Sequence, residues 1–341
     1  MRFTHDSVFG METPALKDLI TIPAVWQRVE RVEQRLFEVS TSSDRFVTQV
    51  AQHLLQAGGK RFRPLLTQVA AEFGTVIDHR AIDAGAAVEL IHIGSLYHDD
   101  VIDEADTRRG EASVNALWGD NVAILGGDFL LARASELAAE SLGLAGVTLL
   151  AQTYAQLVEG VMLEMQLNGD LKCDPDDYYQ MIEGKTASLI RASARLGAMA
   201  SDASEEVIEA VSVATFELGM VFQMSDDALD IVATEEELGK PSGSDIRQGV
   251  YTLPVLDALA GPEGDQITEL LHKGMPFTDA AVTEVIQLVR NGRYVERTLN
   301  ECSQRLQVAE TAIAVLPDIE ARSVMTAMGK FLVDRVHTAR S

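Results

Sequence analysis

Cysteine is almost missing from this chain: Cys173 and Cys302 are the only two in 341 residues. Two thiols that far apart give neither a disulfide framework nor a metal-ligand pair, and they fit a reducing compartment such as the cytoplasm. Proline is scarce, with nine residues, so long helices are permitted. Aromatic residues make up 6%, and 28 Lys and Arg stand against 52 Asp and Glu, for a net charge of −24. So acidic a surface excludes general binding to nucleic acid and leaves at most transient contact with a membrane. It also repels phosphorylated molecules, so a site for one must gather cations locally. No apolar run reaches the roughly 18 to 20 uninterrupted residues of a spanning helix. The first residues, with Asp6 and Glu12 and no basic leader, do not read as a signal peptide.

What is present is helical periodicity, from about Ala24 onward, with no convincing alternating strand pattern. Breakers at Gly58-Gly59, Gly74, Gly119, Gly143, Gly169 to Pro175, Gly197, Gly239 to Gly249 and Gly261 to Gly264 leave about ten to twelve helices between them. The stretches Ala84 to Tyr97 and Asn121 to Ala139 are apolar nearly all round and predict buried helices. With 47% hydrophobic residues and no low-complexity linker, we expect an all-α chain. Residues 1–23 read as a variable N-terminal segment and residues 24–341 as a single domain.

Two aspartate clusters of one spacing, Asp99-Asp100-Val101-Ile102-Asp103 and Asp226-Asp227-Ala228-Leu229-Asp230, lie 127 residues apart, each after an apolar helical run. Residues i and i+4 share a helix face, so Asp99 pairs with Asp103 and Asp226 with Asp230. Like charges so placed repel unless a cation joins them, and carboxylates suit hard divalent ions such as Mg²⁺. A basic set accompanies them. It comprises Gly58-Gly59-Lys60-Arg61-Phe62-Arg63-Pro64, whose glycines permit close approach of an anion, then Arg108-Arg109-Gly110, placed to close the first acidic helix, Gly184-Lys185-Thr186, and Lys240.

In this order the motifs resemble the trans-isoprenyl diphosphate synthases, or polyprenyl synthetases, over roughly residues 45 to 260. The run Leu90 to Asp103, Gly126-Gly127-Asp128-Phe129-Leu130, Phe222 to Asp227 and Gly239 to Pro254 complete the likeness. The stretch Ser113 to Gly119 looks like the bacterial long-chain members. The resemblance implies a single large helical bundle around a deep central cavity and a homodimer with a second copy of the chain. It implies that Asp99, Asp103 and Asp226 ligate two or three Mg²⁺ ions, with Asp100, Asp227 and Asp230 supporting. Arg108, Lys185, Thr186, Gln223 and Lys240 would hold the diphosphate of an allylic primer. Gly59, Lys60, Arg63, His92 and Arg109 would hold that of isopentenyl diphosphate. One departure is visible: Val250 stands before Tyr251-Thr252-Leu253-Pro254, where the family often has lysine.

The implied chemistry follows charge. Neutralising the diphosphate lets it leave an allylic carbon, and the double bond of isopentenyl diphosphate attacks the resulting cation in a site that excludes water. Gly94 and Ser95 lie about 6 to 8 Å down the helix from Asp99. Their small size predicts an open passage for a growing chain, with Ile91 and Val88 one turn deeper. The expected product is therefore a long all-trans polyprenyl diphosphate, of six or more isoprene units, suited to a quinone tail. The alternatives are a geranylgeranyl diphosphate synthase, a class I terpene cyclase and a non-catalytic subunit of a hetero-oligomeric synthase. The complete second Asp-Asp-x-x-Asp cluster and the Gly-Gly-Lys loop weigh against the last two.

Overall fold

The structure, a computed structural model, describes residues 18–234 and 241–339. Lys240 and Gly239, and most of the N-terminal segment, lie outside the described residues. The described residues are overwhelmingly helical, as expected, and divide into two compact units, one of residues 18–154, 189–212 and 315–324, the other of 155–188, 213–234, 241–314 and 325–339.

In the first unit, α1 (Pro23–Val39), α2 (Arg45–Gln56), α3 (Phe62–Ala71) and α4 (Asp78–Ile102) follow one another. Asp44 caps α2 by accepting from the Phe46 and Val47 amides, the usual remedy for orphan donors at a helix start. Helix α4 packs against α1 and α3 and is buried on every side from Ala81 to Tyr97, as its apolar sequence predicts. Tyr97, fully buried, donates to Val50 O at 2.6 Å and ties α4 to α2.

The reading of Arg108-Arg109-Gly110 as a helix C-terminus is corrected. Helix α4 ends at Ile102, and a small hairpin follows, β1 (Thr107–Arg108) paired antiparallel with β2 (Glu111–Ala112). Its two-residue loop, Arg109-Gly110, has both φ angles positive, 56° and 76°, the geometry that matches strand twist in tight hairpins. Two-residue strands are too short to show an alternating pattern, which is why the sequence hid them.

After α5 (Val114–Trp118) comes α6 (Asp120–Leu167), interrupted by a non-helical Gly143. The expectation that Asn121 to Ala139 is buried all round is also corrected: Ala123, Leu130, Ala134, Leu137 and Ala138 are buried, but Ile124 and Leu125 are 42% and 67% exposed. Apolar composition fixed the buried stripe and left the opposite, equally apolar side uncovered.

The second unit holds α7 (Pro175–Ile182), a π-helical turn (Glu183–Ala187), most of α9 (Glu205–Val232), and then α10 (Ser244–Arg247), α11 (Leu253–Leu259), α12 (Gly264–Leu271), α13 (Asp279–Asn291), α14 (Tyr294–Ile313) and most of α15 (Glu320–Ala339). Helix α8 (Ser188–Ala200) belongs almost wholly to the first. Short segments such as α5, α10 and α11 raise the helix count above the ten to twelve that the breakers delimit. Among the described residues α9 alone is long and apolar enough to cross a membrane, and 67% of its most apolar stretch is buried inside the protein.

Candidate active site

The first aspartate cluster sits at the C-terminal end of α4. Asp103 caps the helix, its amide donating to Asp99 O at 2.8 Å, and no basic residue lies in the last turn. Carboxylates at the negative pole of a helix raise each other's energy, so this end favours a cation. Asp99 is half-buried and Asp103 exposed. Asp100 is different: it is fully buried, and Arg108 grips its Oδ1 through Nε at 2.7 Å and Nη2 at 2.6 Å. Burial pushes the Asp100 carboxyl up, with Arg108 pulling the other way. Asp100 therefore anchors Arg108 and the hairpin.

The basic loop between α2 and α3 is shaped by three positive φ angles, at Gly58 (87°), Gly59 (152°) and Arg61 (52°). A Cβ on Gly59 would come within 2.9 Å of Nη1 of both Arg109 and Arg61, so only glycine lets the guanidiniums close on the backbone. Arg61, buried, is clamped by Glu33 (2.5 and 2.8 Å) and Glu89 (3.1 Å). Burial works against its charge, but the bonds to Glu33 and the attraction of Glu89 more than offset that. Arg61 is the residue of this motif committed to structure.

Arg63, Arg109 and His92 are not so neutralised. Arg63 Nε is buried with no hydrogen-bond partner among the described residues, and burial draws its pKa down to about 10, Glu89 opposing and Arg109 assisting. Arg109 donates to Gly58 O and, at 3.3 Å, to Leu54 O. Its pKa too is lowered, by burial first and then by Arg61 and Arg108 against the pull of Glu89. His92 is held neutral, well below the usual imidazole range, by burial and by Arg63, Arg109, Arg61 and Arg108 in that order. Thus residues from a loop, a helix and a hairpin share one positive pocket, with Gly59 at its edge and Lys60 half-buried beside it. An orphaned buried donor among mutually repelling cations is the signature of a place for an anion.

A pH consequence follows. Folded His92 stays neutral, while the unfolded chain takes up a proton near pH 6.5. Its contribution to stability is whole above about pH 6.5 and is lost as pH falls toward the depressed folded value. Denaturant titrations across this range should find the acid loss of stability shallower in His92→Asn; an acid limb as steep as wild type would refute the assignment.

In the second unit, Asp226, Asp227 and Asp230 occupy the last two turns of α9, and the last turn again holds no basic residue. Asp226 is 38% exposed and bonded by Arg335 at 2.7 Å. Asp227 is buried and accepts from Tyr178 Oη at 2.5 Å and Gln223 Nε2 at 2.9 Å. Burial raises its pKa well above the carboxylate range, with Asp245 adding and those two donors opposing. Asp230 is buried and accepts from the Asp245 amide at 3.2 Å. Thr186 donates to Gln223 Oε1 at 2.8 Å, so Thr186, Gln223, Asp227 and Tyr178 form one oriented chain in which the amide of Gln223 has a single consistent direction. Lys185 bonds Glu164. It rides on the π turn, which nests against α6 because Gly160 and Gly184 meet there; a Cβ on Gly160 would lie 2.4 Å from Lys185 N. Val250 lines a small pocket with Glu164, Tyr178 and Tyr251, and among the described residues that line it none is a lysine or arginine.

Among the described residues no three of His, Cys, Asp or Glu converge as a closed metal cage. Mg²⁺ needs none, since one or two carboxylates with waters and substrate phosphates complete its shell. The hard-oxygen donors of Asp99 with Asp103 in the first unit, and separately of Asp226 in the second, are of the kind such an ion takes.

At the proposed chain-length positions, Val88, Ile91 and Ser95 are buried, and Ser95 Oγ donates to His92 O at 2.9 Å. Gly94 makes a helix crossing: its Cβ would lie 3.1 Å from Gly127 O, and one on Gly127 would lie 2.9 Å from Gly94 O. A bulky residue at 94 therefore meets backbone first.

Sequence reasoning missed Arg335, Tyr178 and Glu164, each remote in the chain from the group it bonds. The structural role of Arg61 had no signal in the sequence, since its partners Glu33 and Glu89 are each 28 residues away.

The polyprenyl synthetase family model matches residues 44–289. The nonaprenyl diphosphate synthase of Mycobacterium tuberculosis is 41% identical, over 95% of this chain and 99% of its own. Heptaprenyl diphosphate synthase component 2 of Geobacillus stearothermophilus is 37% identical, over 89% and 94%. The crystal structure of a polyprenyl synthase from Caulobacter crescentus, complexed with calcium and isoprenyl diphosphate, superposes with a TM-score of 0.84 at 33% identity, over 95% and 98% of the two chains. The chain belongs to the polyprenyl synthetase family of prenyltransferases.

Proposed function

We propose that this prenyltransferase condenses isopentenyl diphosphate with an allylic diphosphate, in the presence of two or three Mg²⁺ ions, to give a long all-trans polyprenyl diphosphate of six or more isoprene units for a quinone side chain. One observation carries the reading. His92, in the unneutralised cationic pocket, and Asp99 and Asp103, at the cation-seeking end of α4, recur at seven and eleven residues on one stripe of a single helix. Seven residues place the anion pocket about 10 Å from the carboxylates, room for two diphosphates whose carbon ends meet between them.

Arg63, Arg109, His92, Lys60 and the Gly59 backbone bind the diphosphate of isopentenyl diphosphate. His92, being neutral, donates or accepts a hydrogen bond without adding charge. Asp99, Asp103 and Asp226 hold the ions, which when bound supply Lewis-acid neutralisation of the departing diphosphate. Arg108, Lys185, Thr186 and Gln223, with Lys240, orient that diphosphate. Asp100 fixes Arg108, and Asp227 fixes Gln223. The buried, largely apolar stretch of α4 from Ala84 to Tyr97 helps keep water from the allylic cation.

The nonaprenyl and heptaprenyl relatives support a long product, as do the small residues Gly94 and Ser95. The test is elongation of dimethylallyl, geranyl, farnesyl and geranylgeranyl diphosphate by the purified protein with labelled isopentenyl diphosphate and Mg²⁺. Products of six or more units support the proposal, and a stop at four makes the chain a geranylgeranyl diphosphate synthase. Ser95→Phe should shorten the product by one or more units, and an unchanged distribution would exclude Ser95 as a gate. Gly94→Phe is the poorer probe, because it disrupts the Gly127 contact. A second reading, dependence on a partner subunit, is favoured by the component 2 relative; elongation only after mixing with another chain would establish it.

We place the protein in the cytoplasm as a homodimer with at most transient membrane contact. Ile124, Leu125 and Leu144, exposed on α6, supply an apolar surface for a second copy. Sedimentation equilibrium at a monomer mass would refute the dimer.

A further inference from the structure

Arg335, on α15, belongs to none of the motifs that mark the site. Its Nη2 donates to Asp226 Oδ1 at 2.7 Å and to Ser225 Oγ at 2.9 Å, and its Nε reaches Leu332 O at 3.4 Å. The guanidinium side chain is only 9% exposed, against 38% for the carboxylate it holds. Within the second cluster the three carboxylates have different surroundings. Asp227 receives Tyr178 and Gln223, and Asp230 receives the Asp245 amide, both in buried positions. Asp226 is the open one, and it is the one that a remote arginine grips.

We infer that Arg335 is a positioning residue that serves as a built-in counter-cation for the second aspartate cluster. It orients Asp226 before a divalent ion arrives, and the ion must share or displace that contact. This inference rests on the proposal that the cluster holds such an ion. Three carboxylates stand in the last two turns of α9, toward the negative end of the helix, and its last turn holds no lysine or arginine. Like charges at this spacing would push Asp226 away from its neighbours. A fixed, nearly buried guanidinium holds it in place at low cost, because its own freedom is already limited by Ser225 and the Leu332 carbonyl. The same positive charge opposes a bare divalent ion. It does not oppose one that arrives with a diphosphate, whose negative charge the arginine then faces. The cluster thereby favours ion and allylic diphosphate together over the ion alone.

The test titrates the purified full chain with Mn²⁺, reading free Mn²⁺ by electron paramagnetic resonance, without and with inorganic diphosphate. In Arg335→Gln, Mn²⁺ alone should bind about fivefold more tightly at the second cluster, the worth of one partly exposed ion pair. The advantage that diphosphate gives to Mn²⁺ binding should shrink by a similar factor. Arg335→Lys, which keeps the charge, should stay close to wild type. Adding Asp226→Asn to Arg335→Gln should abolish the gain. Equal Mn²⁺ affinity in wild type and a folded Arg335→Gln, by far-ultraviolet circular dichroism, would overturn the inference while leaving the proposed function standing. Absence of Mn²⁺ binding by wild type under both conditions would overturn the function and this inference together. Should Arg335→Gln not fold, Ser225→Ala removes one of the two acceptors of that Nη2. A tightening of about twofold would then support the inference, and no change would overturn it.

Discussion

Replacing Asp99 with asparagine is expected to lower the elongation rate by about 10²- to 10³-fold while leaving the protein folded, the scale of loss when one electrostatic group aimed at developing charge is removed. The reason lies in where Asp99 stands. It is half-buried in the final turn of α4, where the helix pole and the neighbouring Asp103 both disfavour a lone negative charge. Asparagine keeps the shape and relieves that repulsion, so thermal stability should hold or rise slightly. An ion loses a charged oxygen ligand, and the diphosphate leaves less readily. The two effects have opposite signs, and together they distinguish a ligand from a scaffold residue. Single-turnover elongation of farnesyl diphosphate, with parallel thermal melts, measures both. A variant with wild-type rate would remove Asp99 from the reaction. Asp100→Asn should behave otherwise, because its buried carboxylate carries Arg108: there, stability falls along with rate.

Arg61→Ala is expected to cost about 3 to 5 kcal/mol of stability, the range for removing one partner of a buried ion pair. Glu89 would stay buried without the guanidinium that donates to it, and Glu33 would lose a two-bond clamp. The left-handed turn at Arg61 that starts α3 depends on those contacts, so isopentenyl diphosphate should also bind more weakly. Arg63→Ala, two residues on, should do the reverse. It removes a buried cation whose Nε has no partner, and the desolvation it relieves offsets lost packing. Its melting temperature should stay within a few degrees of wild type while the KM for isopentenyl diphosphate rises by about 10-fold or more, as for a lost charge-assisted contact. Urea unfolding and steady-state kinetics on the two variants give a crossed pattern. If Arg63→Ala were the less stable of the two, the division of labour in this loop would be wrong.

Much of this site was legible in the chain itself. Repeated Asp-Asp-x-x-Asp at helix spacing, each after an apolar run, announced the acidic helix ends, and the Gly-Gly-Lys-Arg loop announced a gathering of cations. The all-round apolar stretch Ala84 to Tyr97 became the buried α4 because such a segment has no face to leave in water. Local signals were misleading where the chain changes direction within a few residues. Arg108 and Arg109 looked like the cationic end of a helix, and they are a hairpin whose only trace is Arg109-Gly110. On α6, apolar residues were too evenly spread to tell the buried stripe of Ala123, Leu130 and Leu137 from the exposed Ile124 and Leu125.

The sequence by itself determined the fold class, the family chemistry and the identity of the charged groups, since these follow from residue type and short-range spacing. Only the tertiary structure decided which charges are already partnered. Arg61 and Arg63 stand two residues apart in one motif, yet one is clamped by Glu33 and Glu89 and the other keeps a buried Nε with no hydrogen-bond partner among the described residues. Asp226 and Asp227 are neighbours, yet one meets Arg335 from the C-terminal helix and the other Tyr178 and Gln223. An ion pair depends on distances of about 3 Å between groups far apart in the chain, and desolvation depends on everything packed around them. Neither quantity is local, so neither is written in any short stretch of sequence.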